Sequence, residues 1–170
     1  MPLDDKKEQF YWVDENDNVL GIITRYEAHS GSMKIHRSIG IFIENANEEL
    51  LLQQRSLHKD VDPGKWSYSV AGHVTTNQSY KEAAIREAAE EMGIELVNLK
   101  YLGKYLIVTN REREITAFYS AQIDNTNITV DKTEIERCLW IKKINLPNFA
   151  RNNTFTSWSL EAFKLNRMIT

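Results

Sequence analysis

Disulfide bonds, a membrane span and a strong net charge are all missing from this sequence. Its 170 residues include a single cysteine, Cys138, so no disulfide framework can form within the chain. No apolar run approaches the roughly 20 residues that a transmembrane helix needs, and the first residues, MPLDDKKE, lack the apolar core of a signal peptide. The net charge of −3 argues against broad nucleic-acid binding through bulk electrostatics. These absences favour a cytoplasmic protein that does not enter a membrane.

The length and the pattern of strand-like and helix-like segments indicate one domain over residues 1–170, without internal repeats. An N-terminal hairpin is expected at about residues 10–24, because turn residues separate two strand-like runs, and such a hairpin can pair with another subunit in a homodimer. Residues 26–34 are expected to form a polar connection and Pro147 to start a loop. A C-terminal helix is expected at about 157–168. Many strands with one central and one terminal helix favour a mixed α/β (α+β) sandwich.

The stretch from Ala71 to Ile94 has the signature of a capped helix. Ser79 and Glu82 form a capping box, which predicts that the helix begins near Tyr80, and Gly93 supplies its stop. On a helical wheel of about 100° per residue, an apolar face and an acidic face separate. The face expected to pack on a sheet comprises Ile85, Ala88, Ala89 and Met92, and the opposite face carries Glu87, Glu90 and Glu91.

Three glutamates at i, i+3 and i+4 place like charges next to one another on this helix. Each such pair destabilises an isolated helix by a few tenths of a kcal/mol, and Arg86 can pair with Glu90 but cannot neutralise all three carboxylates. One interpretation is an ordinary solvated acidic face. The other is a site for a hard divalent cation such as Mg²⁺, which takes oxygen ligands and is often shared with substrate phosphates. The spacing alone leaves both interpretations open.

The same stretch resembles the Nudix box, a motif of fixed glycine, arginine and glutamate positions. The residues that fall in register with it are Gly72, Arg86, Glu87, Glu90, Glu91, Gly93 and Ile94. Two positions depart from the motif, because Gln78 stands in place of a glutamate and Ala88 is small for an aliphatic position. A neutral amide at position 78 can hydrogen-bond the loop, but it cannot take a proton at neutral pH.

The resemblance to the Nudix hydrolase superfamily implies a fold, a cofactor and a set of site residues. The implied fold is a Nudix-type α/β/α sandwich with a mixed β-sheet, and the implied cofactor is Mg²⁺ or Mn²⁺. The implied metal site consists of Glu87, Glu90 and Glu91 together with Gly72. Arg86 is implied to orient the glutamates, and it is expected to share the catalytic role with Glu90 and Glu91.

Three histidines and two glutamates form a second candidate set, namely His29, His36, His73, Glu112 and Glu114. Imidazole and carboxylate groups both bind Mn²⁺ or Zn²⁺, but the spacing is not a recognised zinc pattern, and most single histidines are structural or merely exposed. The order of these segments resembles isopentenyl-diphosphate isomerase, a Nudix-fold enzyme whose metal lies at the matching positions. That family needs a cysteine just before the Gly-His pair, where this chain has Ala71, and Cys138 lies far away in the sequence.

Basic residues beside these acidic groups indicate an anionic small-molecule partner. Arg55 ends a strand before a loop that contains Pro63 and Gly64, and Lys59 and Lys65 flank that loop. Arginine and lysine beside a metal suit a diphosphate, although solvated surface is the ordinary role of such lysines. Arg55 and Lys65 are therefore predicted to bind the substrate.

The leading hypothesis is metal-dependent hydrolysis of the diphosphate linkage in a nucleoside diphosphate derivative or a similar organic diphosphate. A metal at the box would polarise the phosphoryl oxygens and lower the pKa of the attacking water, and a box glutamate, Glu112 or Glu114 would take the proton of that water. One alternative is isomerisation of an isoprenyl diphosphate, and the other is a non-catalytic nucleotide-binding sensor. The substrate itself depends on loop geometry, which the sequence does not specify.

Overall fold

The structure, a computed structural model, describes residues 5–124 and 128–169. Residues 1–4, 125–127 and 170 of the predicted domain lie outside this described part. The strands are β1 Gln9–Val13, β2 Val19–Thr24, β3 His36–Glu44, β4 Glu49–Arg55, β5 Trp66–Ser67, β6 Val70–His73, β7 Lys100–Val108, β8 Arg113–Gln122 and β9 Ile135–Lys142. The helices are α1 Arg25–His29, α2 Tyr80–Met92, α3 Leu146–Asn152 and α4 Ser157–Leu165, with a 3₁₀ turn at Lys143–Asn145.

Seven of these strands form one mixed sheet. Its main path has the order β5-β4-β3-β8-β7, while β6 also pairs with β3 and β9 also pairs with β4. The pairing of β3 with β8 is parallel, and the other pairings of the sheet are antiparallel. The sheet is therefore mixed, as the sequence predicts.

The sheet divides next to β3. In the described residues, β3 pairs with β4 at a single position near its end, whereas residues 38–41 pair with β6. The hydroxyl of Ser69, just before β6, joins the two branches: it accepts a hydrogen bond from the Ile43 N–H at 2.8 Å and donates one to the Leu51 carbonyl at 2.6 Å. The Ser69 hydroxyl thus supplies hydrogen-bond partners for the Ile43 N–H and the Leu51 carbonyl, which the division of the sheet would otherwise leave unpaired.

Helices cover both faces of this sheet. Alternate residues of β3 point to opposite faces, so Ile39, Ile41 and Ile43 pack in the cluster that contains α2, and Phe42 packs in the cluster that contains α4. Each cluster includes fully buried helix residues, which are Ala83, Ala84, Ala88 and Met92 on the α2 side and Ala162 and Phe163 on the α4 side. The predicted α/β/α sandwich of the α+β class is confirmed.

Helix α2 begins and ends as predicted, but it is turned differently on its axis. Ser79 and Glu82 close the capping box, and Gly93 ends the helix in the left-handed conformation, with a φ of 64°. The predicted apolar face is wrong in part, because Ile85 and Ala89 are exposed. The buried residues are Ala83, Ala84, Ala88, Glu91 and Met92. Small alanines let the helix lie close to the sheet, and the third box glutamate faces inward rather than towards solvent.

Two helices lie where the sequence indicated connections. Helix α1 occupies the start of the predicted connection 26–34, and a capping box of Thr24 and Glu27 begins it. Helix α3 has Pro147 in its first turn, where the missing N–H would have no helical partner, so Pro147 starts a helix rather than a loop. Helix α4 ends at Leu165, before the predicted end at residue 168. Among the described residues, no helix is long and apolar enough to cross a membrane.

The antiparallel strands β1 and β2 form the N-terminal hairpin. Its turn is joined to the main sheet by Asp17, whose carboxylate accepts a hydrogen bond from Arg37 Nε at 2.6 Å and another from Lys104. Phe10 of β1 is fully buried against the sheet. The apolar side chains that β2 exposes are Val19, Leu20 and Ile22, and pairing of this hairpin with a second subunit stays a prediction.

Candidate functional site

An open cavity of about 800 Å³ lies beside the division of the sheet. The predicted site residues that line it are Arg55, Gly72, His73, Arg86, Glu87, Glu90, Glu91, Glu112 and Glu114. His29 also lines it, and His36 is fully buried behind the His73 ring, with 5.3 Å between the ring centroids. We refer to Glu87, Glu90 and Glu91 as the glutamate cluster, and to His29, His36, His73, Glu112 and Glu114 as the histidine cluster.

Gly72 of β6 supplies the surface on which Glu87 rests. A Cβ atom at position 72 would lie 2.2 Å from Glu87 Cδ, which is far inside van der Waals contact, so a side chain here would displace the carboxyl group. The next residue, His73, belongs to the histidine cluster. Strand β6 therefore places the two clusters side by side through adjacent residues.

Arg86 organises the glutamate cluster through both ends of its guanidinium group. Its Nη1 donates to Glu90 Oε2 and its Nη2 to Glu87 Oε1, each at 2.8 Å. Nη2 also lies 3.0 Å from the carbonyl oxygen of His73 and 3.4 Å from Gln78 Oε1. The Gln78 amide oxygen, which stands where the Nudix box has a glutamate, thus still accepts a hydrogen bond within the loop and helps to hold Arg86.

Glu87 and Glu91 are buried carboxylates with insufficient positive charge around them, whereas the side chain of Glu90 is 61% exposed. Burial raises the pKa of Glu87 to about 7, although Arg86 opposes the shift. Burial and the charge of Glu87 raise the pKa of Glu91 well above its ordinary value. The Gln53 side-chain amide nitrogen Nε2 lies 3.5 Å from Glu91 Oε2. A cation among these groups would reverse both shifts, because it favours the charged carboxylates.

The histidine cluster contains two sets of three potential metal ligands that share His36, namely His29, His36 and His73, and His36, Glu112 and Glu114. The Nε2 atoms of His36 and His73 lie 3.1 and 3.2 Å from Glu114 Oε1. His29 Nε2 lies 3.2 Å from His73 Nε2 and 3.5 Å from Glu112 Oε2. His36 and Glu114 are opposite each other in the parallel β3–β8 register, so the sheet itself fixes this part of the cluster.

The chemistry of these groups fits a divalent metal ion. The Nδ1 atom of His36 lies 3.4 Å from the Lys34 carbonyl oxygen, which can only accept, so Nδ1 carries the proton. The Nε2 atom of His36 is buried and lies 3.1 Å from Glu114 Oε1, and His36, Glu112 and Glu114 are close enough together to hold one cation. Ligating histidines commonly donate their other ring N–H to a carbonyl in this way. Nitrogen and oxygen ligands of this kind suit Mn²⁺, Fe²⁺ or Zn²⁺.

Burial and mutual contact shift the pKa values within the histidine cluster in opposite directions. Burial raises the pKa of Glu112 to about 7, and the Glu114 charge adds to the shift. Burial also disfavours ionised Glu114, but the rings of His36 and His73 outweigh it and hold the pKa of Glu114 well below its usual range. Burial lowers the pKa of His73 well below its ordinary value, which keeps that ring neutral and able to ligate.

Phe10 supports the histidine cluster from the N-terminal hairpin, a contact that sequence reasoning missed. Its ring stacks on His73 with 4.8 Å and on His36 with 5.4 Å between centroids. An isolated β-bridge to Thr75 fixes the backbone of Phe10 next to β6. No local sequence signal distinguishes this aromatic residue from an ordinary core residue, because the contact joins segments that are far apart in the chain.

Of the predicted substrate-binding residues, the structure brings Arg55 to the cavity. Its guanidinium group donates two hydrogen bonds to the Val61 carbonyl, at 3.0 and 2.9 Å, and lies 5.7 Å from the centre of the Trp158 ring. Lys59 also lines the cavity, and its ammonium nitrogen is 2.7 Å from Glu134. Both basic groups therefore stand at the wall of the cavity, next to the loop that joins β4 to β5.

Lys65 is not among the described residues that line the cavity, and its role in substrate binding stays a prediction. Its ammonium group is 2.7 Å from Asp62, an i, i+3 partner. The spacing of Asp62 and Lys65 is visible in the sequence and is the signal that predicts this local pair. Basic residues that line the cavity without having been predicted are Lys6, Arg25 and Arg111.

The position before Gly72 has no thiol. Ala71 lines the cavity there, and Cys138 lies on β9, opposite Gln53 of β4. Burial raises the pKa of the Cys138 thiol to about 11, so it is neither ionised at neutral pH nor, within the described residues, part of the cavity lining. A cysteine does not take part in the chemistry of this cavity.

Comparisons with known proteins agree with this description. A family model described as NUDIX domain matches residues 34–158. The chain is 31% identical over 153 residues to isopentenyl-diphosphate Delta-isomerase 1 of Photorhabdus laumondii, with 86% of each chain covered. It is also 31% identical over 158 residues to an uncharacterized Nudix hydrolase, PA4841, of Pseudomonas aeruginosa, with 93% of this chain and 92% of that protein covered. The chain thus fits a Nudix subgroup related to isopentenyl-diphosphate isomerase.

Solved structures share the fold. The crystal structure of DR0079 from Deinococcus radiodurans superposes with a TM-score of 0.77 at 24% identity and covers 94% of this chain and 98% of its own. The NUDIX domain of Shewanella oneidensis NrtR, determined with ADP ribose, has a TM-score of 0.62 at 14% identity and covers 76% of this chain and 84% of its own. The family model and the relative from Pseudomonas aeruginosa identify the chain as a member of the NUDIX domain family and a Nudix hydrolase, an enzyme that acts on phosphoric anhydrides.

Proposed function

We propose that this protein hydrolyses the diphosphate linkage of a nucleoside diphosphate derivative or a similar small organic diphosphate, with Mg²⁺ or Mn²⁺ as its cofactor. The observation that supports this most directly is that the glutamate cluster and four members of the histidine cluster, all but the buried His36, line one cavity. Arg55 and Lys59 stand beside them. A cation stabilises buried carboxylates in their ionised form, and a cation held beside basic groups suits a phosphate ligand.

The residues proposed to hold the cofactor are Glu87, Glu90 and Glu91, with Gly72 at their base. When bound there, a divalent cation supplies polarisation of the phosphoryl oxygens and a more acidic water. The chain itself contributes orientation: Arg86 bonds Glu87 and Glu90 at 2.8 Å and so fixes two of the three carboxylates.

The histidine cluster is proposed as a second metal site, formed by His36, His73, Glu112 and Glu114 with His29 at its edge. The grouping of His36, Glu112 and Glu114, with the buried His36 Nε2 3.1 Å from Glu114 Oε1, supports this assignment. The carboxylate that takes a proton from water is proposed to come from Glu90, Glu91 or Glu114. These three glutamates line the same cavity, so each is placed to reach a water bound there.

A second candidate activity is isomerisation of an isoprenyl diphosphate, and the histidine cluster favours it. The relative from Photorhabdus laumondii is named as an isomerase and is 31% identical to this chain. Ala71 opposes this candidate, because an acid–base partner is missing where the resemblance requires a cysteine. Isomerisation would exchange substrate protons with solvent deuterium and release no phosphate, which mass spectrometry can follow.

The deciding experiment measures release of phosphate and pyrophosphate from a panel of nucleoside diphosphates, nucleotide sugars, dinucleotides and isoprenyl diphosphates. Each reaction is run with Mg²⁺, with Mn²⁺ and with EDTA. We expect turnover that needs metal and that falls by at least about 100-fold in Glu91→Gln. Glu95→Gln, at an exposed position outside the cavity lining, is the matched control and should keep wild-type turnover. Full activity of Glu91→Gln would refute the assignment, and binding without turnover would favour a sensor.

A further inference from the structure

Tyr68 is a buried hydroxyl residue of the cavity that the proposed chemistry does not use. It lies between β5 and β6, is 3% exposed and lines the cavity. Its ring is held edge-on by Trp158, with 5.2 Å between centroids, and by Phe42 and Phe118 at 5.3 and 5.8 Å. Within residues 5–124 and 128–169 its hydroxyl has no hydrogen bond, and its oxygen is not fully enclosed by protein atoms. A hydroxyl at a cavity wall that has no partner in the protein can bond water or a ligand.

Small residues make room for that hydroxyl. A Cβ atom on Gly40 would lie 2.9 Å from the Tyr68 oxygen and 2.5 Å from the Phe118 ring, so no larger residue fits at position 40. Ala71 is opposite Gly40 in the β3–β6 register. The methyl group of Ala71, unlike a longer side chain, leaves the adjacent part of the cavity open. The phenol therefore ends in a space that two small residues keep clear.

The face of the sheet under the cavity carries a row of oxygen atoms that ends at Tyr68. His36, Ser38 and Gly40 alternate along β3 and so share one face, opposite Glu114, Thr116 and Phe118 of β8. The hydroxyls of Ser38 and Thr116 are buried and 2.8 Å apart. One of the two hydroxyls donates its proton in that hydrogen bond, so the O–H of the other hydroxyl can donate to a further group. Ser38 lines the cavity, so the row leads from the histidine cluster to Tyr68.

We propose that Tyr68, together with Ser38, is a specificity-determining residue that hydrogen-bonds a hydroxyl-bearing organic group of the substrate, such as a ribosyl group, and discriminates against hydrocarbon diphosphates. The inference rests on the proposed hydrolysis, because it names the organic group attached to the same diphosphate. It assigns the substrate to the sugar-linked class rather than the isoprenyl class.

The physical basis is the cost of leaving buried hydroxyls without partners. A hydrocarbon chain in this part of the cavity would displace water from Tyr68 and Ser38 and return no hydrogen bond, whereas a sugar hydroxyl would replace the water. Burial raises the pKa of Tyr68 well above its ordinary value of 10.0, so the phenol keeps its proton and acts as a donor at neutral pH. It does not replace the missing cysteine, because such a phenol exchanges protons poorly at neutral pH.

The test compares ribose 5-diphosphate with pentyl diphosphate, two substrates of similar length that differ in their hydroxyl groups. For the wild-type enzyme with saturating Mg²⁺ or Mn²⁺, we expect kcat/KM for phosphate release to be at least about 100-fold higher with the ribosyl substrate. Tyr68→Phe should lower kcat/KM for the ribosyl substrate by about 10- to 100-fold and leave the pentyl substrate unchanged or improved. Ser38→Ala should act in the same direction.

Tyr80→Phe is the matched control, because the Tyr80 hydroxyl bonds Asp17, outside the cavity lining, and this variant should treat both substrates as the wild type does. Equal losses for both substrates in Tyr68→Phe, or no loss for either, would overturn the specificity role while the hydrolase assignment stands. Wild-type enzyme that releases phosphate from neither substrate, nor from any member of the wider panel, would overturn the hydrolysis and this inference together. Isomerisation of isopentenyl diphosphate without phosphate release would also overturn both.

Discussion

Replacing Gly72 by alanine tests the geometry of the glutamate cluster with a single methyl group. The added Cβ would lie 2.2 Å from Glu87 Cδ and 2.4 Å from its Oε1, whereas nonbonded carbon atoms attract best at roughly 3.5–4.0 Å. The carboxyl group must therefore retreat by roughly 1.3–1.8 Å. The pairing of Gly72 with Ile39 of β3 limits how far the backbone can move instead.

A displacement of about 1 Å at a reacting centre can cost roughly 100-fold in rate. We therefore expect Gly72→Ala to lower kcat/KM by at least about 100-fold at saturating metal, and overpacking to lower the free energy of unfolding by about 1–3 kcal/mol. Steady-state phosphate release and urea unfolding measure the two effects. Gly21→Ala is the control, since its Cβ would meet Trp12 at an ordinary 3.7 Å. A Gly72→Ala enzyme with wild-type kcat/KM and an unchanged Mg²⁺ requirement would refute the reasoning.

Two further predictions follow from the buried groups of the cavity. Phe10→Ala should weaken Mn²⁺ binding at the histidine cluster by about 10- to 100-fold, because it removes the ring that stacks on His73 and His36. Isothermal titration calorimetry measures the Mn²⁺ affinity, and an unchanged affinity would contradict the prediction. Burial raises the folded-state pKa of Glu87 and of Glu112 from 4.5 to about 7. The folded state therefore binds these two protons more tightly than the unfolded state does. Each bound proton adds up to about 3 kcal/mol to the free energy of unfolding below pH 4.5, and this contribution is lost as the pH rises to 7. In EDTA the melting temperature should fall as the pH rises from 5 to 8, and added Mn²⁺ should raise it most at pH 8. A melting temperature in EDTA that does not change with pH would show that these carboxyls are not protonated in the folded state.

The ends of α2 could be read from the sequence because they depend on neighbouring residues. Ser79, Glu82 and Gly93 act within one turn of the helix ends, and the structure confirms all three. The same local logic was available for α1, whose capping box of Thr24 and Glu27 stands in the sequence. Local signals of this kind also predict the i, i+3 pair of Asp62 and Lys65, which the structure contains.

The orientation of α2 could not be read in this way. Ile85 is more apolar than Ala84, but Ala84 is buried and Ile85 is exposed, because close approach to the sheet requires small residues on the contact face. The surroundings of Glu91 come from distant segments: Gln53 of β4 contacts its carboxyl group, and the charges of Lys59 and Glu134 shift its pKa in opposite directions. Tertiary contacts of this kind outweigh the hydrophobic pattern of a single helix.

The register that forms the core also fixes the site. Strands β3 and β8 pair in parallel over nine successive positions, from His36 with Glu114 to Glu44 with Gln122. A slip of one residue would turn one strand's side chains to the opposite face, which would separate His36 from Glu114 and also remove Phe118 from the packing against Phe42. Because burying ionisable groups without a cation costs free energy, the histidine cluster cannot hold this register by itself. The apolar residues on both faces of β3 supply that stability, and the ligand geometry follows from them.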